Sequence, residues 1–562
     1  MNSILMALIG VAMVLAGYFL YSKFLATKIY KLDGSFVTPA NKYRDDVDFV
    51  PTNKFILWGH HFTSVAGAAP IVGPAIAVIW GWLPAFLWVT IGTVFFAGMH
   101  DLGALWASVR NKGQSIGTLS GRYIGARGRN LFIVVIFLLL LMVNAAFANV
   151  IQGLLISTPT AVIPTWGAIL IALLVGQAIY RFKWNLIAVT IVGVSALYGL
   201  MLLGDRFPIV LPDSILGMTP SAFWVLILFI YAGIASVVPV WVLLQPRDYI
   251  NGVQLFIGLG LLYGAVIFAN PEIVAPMINH DLPSGHPGIM PLLFVTIACG
   301  ALSGFHGTVA SGTSSKQLDK ETDGRFVGYF GAVGEGLLAL GSIIATVAGY
   351  ESFRAWSEVY SAQGAGGAGS FVAGGSTILN QGLGIPPSLS ATILATMAVL
   401  FAATTMDTGV RLQRYVVQEA ADLFRIKLNK FVATVLVLLV TMGLAFGAGA
   451  DGSGGMVIWP LFGTTNQLLA ALTLSIVTVI LLRLKRNVIP VVIPLVFVLI
   501  VSVYALIIQA GQFYSQQNWL LFVLDIIVLV AALWTILEAV IAMRAAKRGD
   551  FVDEEDETVA AK

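Results

Sequence analysis

The sequence predicts an all-α protein that crosses a membrane many times. Of its 562 residues, 58% are hydrophobic and only 10% are charged, and the mean hydropathy is +0.90. Apolar runs of about 20 residues, the length that spans the hydrocarbon core as a helix, recur along the chain. The single cysteine, Cys299, excludes a disulfide within the chain. These features are typical of a polytopic membrane protein rather than of a soluble domain.

The apolar runs predict about 15 transmembrane helices. They lie at residues 3–25, 57–80, 83–108, 131–155, 162–180, 185–204, 222–245, 251–270, 290–312, 327–350, 387–406, 431–447, 456–482, 488–510 and 519–543. The Gly-rich segment at 361–376 is predicted to be a flexible outer loop.

Positive charge alternates from loop to loop. Lysine and arginine concentrate in the loops at 26–56, 109–130, 181–184, 246–250, 313–326, 407–430 and 483–487 and in the tail from 544. These segments together hold 28 of the 31 basic residues. Because basic loops are retained in the cytoplasm, the pattern predicts that the N-terminus lies outside and the C-terminus inside.

Two apolar runs are interrupted by small residues, the first also by proline, and both contain histidine. They are GHHFTSVAGAAPIVGP at 59–74 and TIACGALSGFHGTVASGTSSK at 296–316, and residues 61–67 loosely resemble residues 306–312. In the predicted topology they enter the membrane from opposite sides, each at the start of five helices. Paired interrupted segments of this kind indicate a secondary transporter built from inverted repeats. We therefore expect a five-plus-five inverted repeat with discontinuous helices and additional accessory helices.

This arrangement divides the chain into six parts. They are an N-terminal helix and cytoplasmic loop at 1–56, the first repeat at 57–204, two inserted helices at 205–289, the second repeat at 290–482, two C-terminal helices at 483–543 and an acidic cytoplasmic tail at 544–562.

The interrupted segments are the predicted substrate site. Unwound backbone inside a membrane persists only against protein or a watery cavity, and the N-terminus of a half-helix suits a carboxylate. The predicted substrate-binding residues are Ser64, Gly67, Ala68, Ser303, Gly304, His306, Thr308, Ser311, Gly312, Thr313, Asn466 and Gln467. The alternative is that the small residues only allow close packing of helices.

Ionisable residues inside predicted spans are candidates for proton coupling, because they are costly in hydrocarbon and usually face a pathway. His100 and Asp101 lie in the third span and Glu335 lies in the tenth. Asp101 is predicted to accept a proton or to orient a histidine. The alternative is a structural pair whose hydrogen bonds are satisfied within the protein.

Four charged residues are predicted to form a gate at the cytoplasmic face. Arg247 and Asp248 belong to the motif QPRDY, for which a helix-ending turn with a surface ion pair is the alternative. Asp407 and Arg411 are spaced for an i,i+4 helix pair; anion binding by Arg411 and Arg414 is the other interpretation.

Histidines also raise a metal hypothesis. His60, His61, His100 and His306 would suit a transition metal or haem if they converged. No HxxxH or CxxC spacing supports such a site, so no resident cofactor is predicted. The basic loop at 110–130 is explained by topology, and no nucleic-acid partner is predicted. The absence of a Walker A motif from the sequence argues against ATP-driven transport by this chain.

Seven longer motifs occur in order between about residue 30 and residue 485. They are GHHFTSVAGAAPIVGP, GWLPAFLWVTIG, HDLGALWASVRNKGQSIG, LLQPRDYI, TIACGALSGFHGTVASGTSSKQ, TMDTGVRLQRY and WPLFGTTNQLLAALTL. Together they resemble the signature segments of the carbon starvation protein (CstA) family. The resemblance implies the inverted-repeat fold of the amino acid/polyamine/organocation superfamily and a place in the bacterial inner membrane.

The resemblance also implies a function. It predicts a secondary-active importer of small carboxylate-bearing solutes, peptides or pyruvate, used under carbon starvation and driven by protons. The expected partners are a small-molecule substrate and the lipid bilayer; the sequence does not predict an oligomeric state. Sodium coupling is the nearest alternative, because unwound carbonyls and hydroxyls also bind Na⁺. A channel and a membrane enzyme or metal- or haem-binding protein are the other classes considered.

Overall fold

The computed structural model describes residues 2–283, 287–361, 366–423, 425–447, 451–452 and 454–549. Within these ranges the chain forms helices and isolated β-bridges but no strand. The prediction of an all-α polytopic membrane protein is confirmed. Most of the predicted acidic tail, residues 550–562, lies outside the described residues.

Thirteen of the helices in the described ranges are long and apolar enough to cross a membrane. In chain order the helices that build the molecule are α1 Ser3–Ile29, α2 Lys54–Ala66, α3 Ala69–Trp80, α4 Trp82–Arg110, α5 Ala126–Ser157, α6 Pro159–Arg181, α7 Leu186–Arg206, α8 Pro220–Val237, α9 Leu244–Ala269, α10 Ile289–Thr296, α11 Gly304–Gly312, α12 Glu321–Ala348, α13 Ala368–Leu383, α14 Pro387–Asp422, α15 Lys430–Gly447, α16 Trp459–Arg483, α17 Ile489–Ser515 and α18 Trp519–Arg548.

Two predicted spans are interrupted helices. Helices α2 and α3 form a pair bent by 43°, which counts as a fourteenth span if the pair is taken as one. The predicted span at 290–312 consists of the short helices α10 and α11, which are separated by the non-helical residues 297–303. Interruption is therefore found in the two segments where the sequence predicts it.

Helix α13 was not anticipated from the sequence, which predicts a flexible loop at 361–376. Gly374 is a packing position, because a Cβ there would lie 2.0 Å from the carbonyl oxygen of Ala345 in α12. The same close approach brings Gly374 against Gly349. A high glycine content suggests flexibility, but here glycine is required because two helix backbones are in contact.

The predicted cytoplasmic loops contact one another at one end of the helix bundle. The N–H of Val50 donates to the carbonyl of Lys316 at 3.2 Å, and the hydroxyl of Tyr415 donates to Asp48 at 3.0 Å. We call this end, which carries the basic loops, the basic end.

The predicted outer segments meet at the opposite end. The side-chain amide of Asn279 donates to the carbonyl of Ile79 at 2.8 Å, and the hydroxyl of Tyr360 donates to the carbonyl of Ala75 at 2.7 Å. Helix α2 therefore begins at the basic end, whereas α10 begins at the opposite end. The two interrupted segments run through the bundle in opposite directions.

The helices differ in how much of their apolar surface is covered. In the most apolar 18-residue window of each helix, 94% of the residues are buried in α16 and 89% in α12 and α14, but only 28% in α7 and 33% in α15 and α18. The exposed apolar faces of the latter helices suit contact with lipid. The interrupted segments lie with α5, α12, α14 and α16 in the covered centre.

Candidate functional site

The first break lies between α2 and α3. Gly67 has φ +55° and ψ −153°, a conformation that is essentially restricted to glycine, and Pro70 lies in the first turn of α3. The carbonyls freed at the end of α2 accept hydrogen bonds from α14. Thr404 donates to the carbonyl of Thr63 at 3.0 Å, and Thr405 donates to that of Ser64 at 3.0 Å. Hydroxyl groups therefore satisfy the first break.

The second break, residues 297–303, is held mainly by amide side chains of α16. Oδ1 of Asn466 accepts from the backbone N–H of Phe305 at 2.8 Å, which satisfies an N–H at the start of α11. Nε2 of Gln467 donates to the carbonyl of Phe294 in α10 at 2.6 Å. The two amides thus bind the two half-helices on either side of the break.

The two breaks lie side by side. A Cβ at Gly300, in the second break, would lie 3.5 Å from Cβ of Pro70, just after the first. A Cβ at Gly73 would lie 2.4 Å from the carbonyl oxygen of Thr296. The contact at Gly73 is close enough to require glycine, and the two contacts together bring both interrupted segments to one place in the bundle.

A chain of histidines and carboxylates lies next to the second break. Nδ1 of His306 in α11 is 2.7 Å from Asp101 in α4, and its Nε2 is 3.1 Å from Glu335 in α12. The other carboxylate oxygen of Asp101 is 2.8 Å from Nδ1 of His100. All four side chains are fully buried. The sequence singled out each of these residues, but it predicted His306 as a substrate-binding residue and not as a proton-coupling one.

A second buried network lies next to the first break and contains a guanidinium. Nδ1 of His60 in α2 is 2.7 Å from Asp248 in α9. The other oxygen of Asp248 accepts from Nη2 of Arg247 at 2.8 Å, and Arg247 also donates to Asp407 in α14 and to Tyr231 in α8. We call these five residues the arginine network.

The structure corrects two interpretations of the predicted gate. Arg247 and Asp248 lie within the first turns of α9 and are buried, not in a turn with a surface ion pair. Asp407 pairs with Arg247 and not with Arg411. Arg411 instead donates to the carbonyls of Ala235 and Val238 and lies 3.9 Å from Asp48. The reason is that α14 continues about four turns beyond the predicted end of its span, so Asp407 is inside the bundle.

The other predicted substrate residues have partners within the protein. Ser64 donates to Asp248 at 3.4 Å and accepts from Thr408. A Cβ at Gly304 would lie 2.4 Å from backbone atoms of α16, so this glycine is a packing position. Ser303 hydrogen-bonds Asn466, whereas Thr308, Ser311 and Thr313 donate to carbonyls of their own helix. Ala68 is buried in the first break, and Gly312 ends α11 beside Leu412.

Of the four histidines in the metal hypothesis, one belongs to a group with three possible ligands. In the described ranges this group consists of Cys299, His306 and Glu335, with ligand atoms within 4.8 Å of one another. Both ring nitrogens of His306 already face carboxylates, an arrangement that suits a proton between acid and base. His61 is not a member of this group, and its Nδ1 lies 2.8 Å from the hydroxyl of Ser314.

Sequence reasoning missed the hydroxyls of Thr404, Thr405 and Thr408 and the phenol of Tyr231. The signal for the threonines is present, since Thr404, Thr408 and Arg411 form a polar stripe at helical spacing in an apolar segment. Nothing in the sequence around Tyr231 distinguishes it from other aromatic residues of membrane helices.

One family model matches the chain along most of its length. The model, described as carbon starvation protein CstA, matches residues 2–356 and 350–505. The chain belongs to the CstA family. The family resemblance stated from the motifs is confirmed, and the chain is a multi-pass membrane protein of this family.

Relatives in the CstA family cover most of the chain. A peptide transporter CstA of Campylobacter jejuni is 30% identical, covering 90% of this chain and 80% of the relative. One of Helicobacter pylori is 32% identical, with coverage of 84% and 76%. The pyruvate/proton symporter BtsT of Escherichia coli is 28% identical, with coverage of 88% and 80%. These relatives are named as transporters rather than as enzymes.

A solved structure shares the fold of this CstA-family chain. It is the crystal structure of a mutant of the manganese transporter of Eremococcus coleocola, with a TM-score of 0.51 and 11% sequence identity. The similarity covers 89% of this chain and 99% of that one. At this identity the likeness concerns the path of the backbone alone.

Proposed function

We propose that the protein is a secondary-active importer of small carboxylate-bearing solutes, peptides or pyruvate, in the bacterial inner membrane, and that protons drive the uptake. Family membership and the names of the relatives support transport of this class. The protein would act under carbon starvation, as the family description suggests, and would belong to the amino acid/polyamine/organocation superfamily.

The observation that carries the proposal is the chain His100–Asp101–His306–Glu335. A carboxylate inside a membrane protein is costly unless it is paired or protonated, and histidine is the side chain that takes up or releases a proton near neutral pH. His306 lies on the half-helix α11 and bridges acids of α4 and α12. When His306 loses or gains one proton, its contacts with the acids of α4 and α12 change. Proton binding is therefore linked to the position of α11.

In the proposed topology the N-terminus is outside and the C-terminus inside. The five-plus-five inverted repeats would open the site at the breaks to one side of the membrane and then to the other. Two observations support it. The segments predicted on each side contact one another at the same end of the bundle. The two interrupted segments, α2–α3 and α10–α11, run in opposite directions and meet at their breaks, as inverted-repeat transporters place a substrate site.

The test is uptake of radiolabelled pyruvate and alanyl-alanine into proteoliposomes under an imposed pH gradient or an imposed sodium gradient. We expect uptake against a concentration gradient with the pH gradient alone. Asp101→Asn and Glu335→Gln should each abolish the response to the pH gradient. Asp525→Asn is the matched control, because Asp525 is a buried carboxylate of α18 with no hydrogen-bond partner in the described residues. Undiminished proton-driven uptake by both Asp101 and Glu335 variants would refute the proposal.

Sodium coupling is the second candidate, favoured by the oxygen atoms at the first break. The carbonyls of Thr63 and Ser64 and the hydroxyls of Thr405 and Thr408 lie together beside Asp248, and Na⁺ prefers such oxygen ligands. The same proteoliposomes decide between the candidates. Uptake that requires a sodium gradient and ignores the pH gradient would assign coupling to the first break.

A further inference from the structure

A cavity of about 440 Å³ opens at the basic end, beyond the last turn of α11. This volume is within the range of small-molecule sites, about 300–1,000 Å³. Its lining includes Thr308, Ser311 and Gly312 together with the charged residues Lys316, Glu419 and Asp422. Three of the predicted substrate residues are among them, but the charged ones were not predicted. We call it the inner cavity.

Lys316 places a largely buried ammonium group in the inner cavity. Its Nζ lies 5.6 Å from the ring centroid of Phe49 and 5.2 Å from that of Tyr415, within the range of cation–π contacts. In the described part of the chain no carboxylate oxygen lies within 4.0 Å of it. Burial lowers the pKa of Lys316 below its ordinary value, although Asp48 and Glu419 oppose the shift. A desolvated cation of this kind gains from an anionic ligand.

Glu419 provides the opposite charge in the same cavity. One oxygen of its carboxylate accepts hydrogen bonds from the hydroxyls of Ser115 at 2.9 Å and Thr118 at 3.3 Å, which fix its orientation. The other oxygen lies near Gly117. Together with Lys112 and Asp422, the lining carries two positive and two negative groups. A ligand with one charge of each sign matches such a lining better than a simple anion does.

The inner cavity is mechanically joined to the second interrupted segment. The hydroxyl of Ser311 in α11 accepts from the backbone N–H of Ile116 at 3.0 Å, which ties the loop that forms one wall to the half-helix. Ser108 of α4 donates to Ser315 at 2.9 Å. A shift of α11 therefore changes the shape of this cavity.

We propose that the inner cavity is a binding site for short zwitterionic peptides, with the peptide carboxylate on Lys316 and the peptide ammonium on Glu419. The volume favours a di- or tripeptide, because a three-carbon acid would fill only a small part of it and would offer no ammonium group to Glu419. The site lies between the breaks and the basic end, where an imported peptide would be released. This inference rests on the proposed transport function and names the solute that the same path prefers.

The test measures binding of four probes to the purified full-length protein. They are alanyl-alanine, N-acetyl-alanyl-alanine, alanyl-alanine amide and pyruvate. We expect the unmodified dipeptide to bind at least tenfold more tightly than the other three, about the effect of one lost charged contact. Lys316→Gln should weaken the dipeptide about tenfold and leave the amide unchanged. Glu419→Gln should weaken the dipeptide similarly and leave the N-acetyl form unchanged.

Two further variants separate a binding role from a folding role. Lys316→Arg keeps the charge between the two rings and should retain dipeptide binding, whereas Lys183→Gln, at an exposed lysine outside the inner cavity, should change it less than twofold. Equal binding of pyruvate and dipeptide, or normal dipeptide binding by both Lys316→Gln and Glu419→Gln, would overturn this inference. Either result would leave the proposed function standing if gradient-driven uptake of pyruvate is measured; failure of gradient-driven uptake for all solutes would refute the function itself.

Discussion

The two interrupted segments look alike in sequence but differ in how the break is built. The first break occupies two residues, Gly67 and Ala68, and the helices on either side are bent by 43°. The second extends over residues 297–303. Threonine hydroxyls of α14 satisfy the first, whereas amides of α16 hold the second. Hydroxyl donors are enough for the shorter break, while the longer one exposes more backbone and requires amide side chains that both donate and accept.

The charged groups beside the two breaks differ more than the breaks themselves. The arginine network next to the first contains a guanidinium, which remains charged at any physiological pH. The chain His100–Asp101–His306–Glu335 next to the second contains histidine as its only cation former. A network with a permanent charge suits a fixed connection between helices. A network whose charge depends on histidine suits a switch, and we assign proton coupling to the second segment for this reason.

The largest expected effect compares the histidines of the two segments. His306→Gln replaces a group that bridges two carboxylates with one that cannot titrate, and proton-driven uptake should fall about 100-fold or more. His61→Gln replaces a single contact with Ser314 and should cost about tenfold or less. Uptake of pyruvate in proteoliposomes under a pH gradient measures both. Equal effects of the two substitutions would show that proton coupling is not confined to the second segment.

The next effect concerns stability at the first segment. Arg247→Ala leaves Asp248 and Asp407 buried without their cation, and removal of one partner from a buried ion pair costs about 3–5 kcal/mol. The free energy of unfolding in mixed micelles, titrated with a denaturing detergent, measures the loss. Arg354→Ala is the control, because Arg354 pairs with Glu358 at the surface and should leave unfolding unchanged. A small effect of Arg247→Ala would mean that the acids are protonated in the folded protein.

Much of this architecture could be predicted from local sequence. Hydropathy and loop charge predicted the positions of the long helices, because both signals depend only on residues that are neighbours in the sequence. Runs of small residues indicated both breaks, together with proline at the first, for the same reason. Helix α13 was missed because Gly374 and Gly382 allow close contacts with α12 and α9, partners that sequence periodicity does not reveal.

The candidate site was predictable as a set of residues but not as a set of pairs. Asp101, Glu335 and His306 stood out singly, since each is ionisable in an apolar span. That His306 joins the other two depends on the packing of α4 against α11 and α12, and Asp101 is 205 residues away from His306 in the chain. The histidine motif was also misleading in register. Residues 61–67 end at the first break, whereas residues 306–312 begin after the second.

The smallest expected effect compares the neutral groups that satisfy the two breaks. Asn466→Ala leaves the buried N–H of Phe305 without an acceptor, which costs about 1–3 kcal/mol. Thr405→Val removes one neutral hydrogen bond to the carbonyl of Ser64, which costs about 0.5–1.5 kcal/mol. Thr405→Ser keeps the hydroxyl and is the matched control for the second substitution. The same unfolding titration measures all three. A larger loss for Thr405→Val than for Asn466→Ala would reverse the comparison, because it would mean that the shorter break, not the longer one, depends more on its side-chain partners.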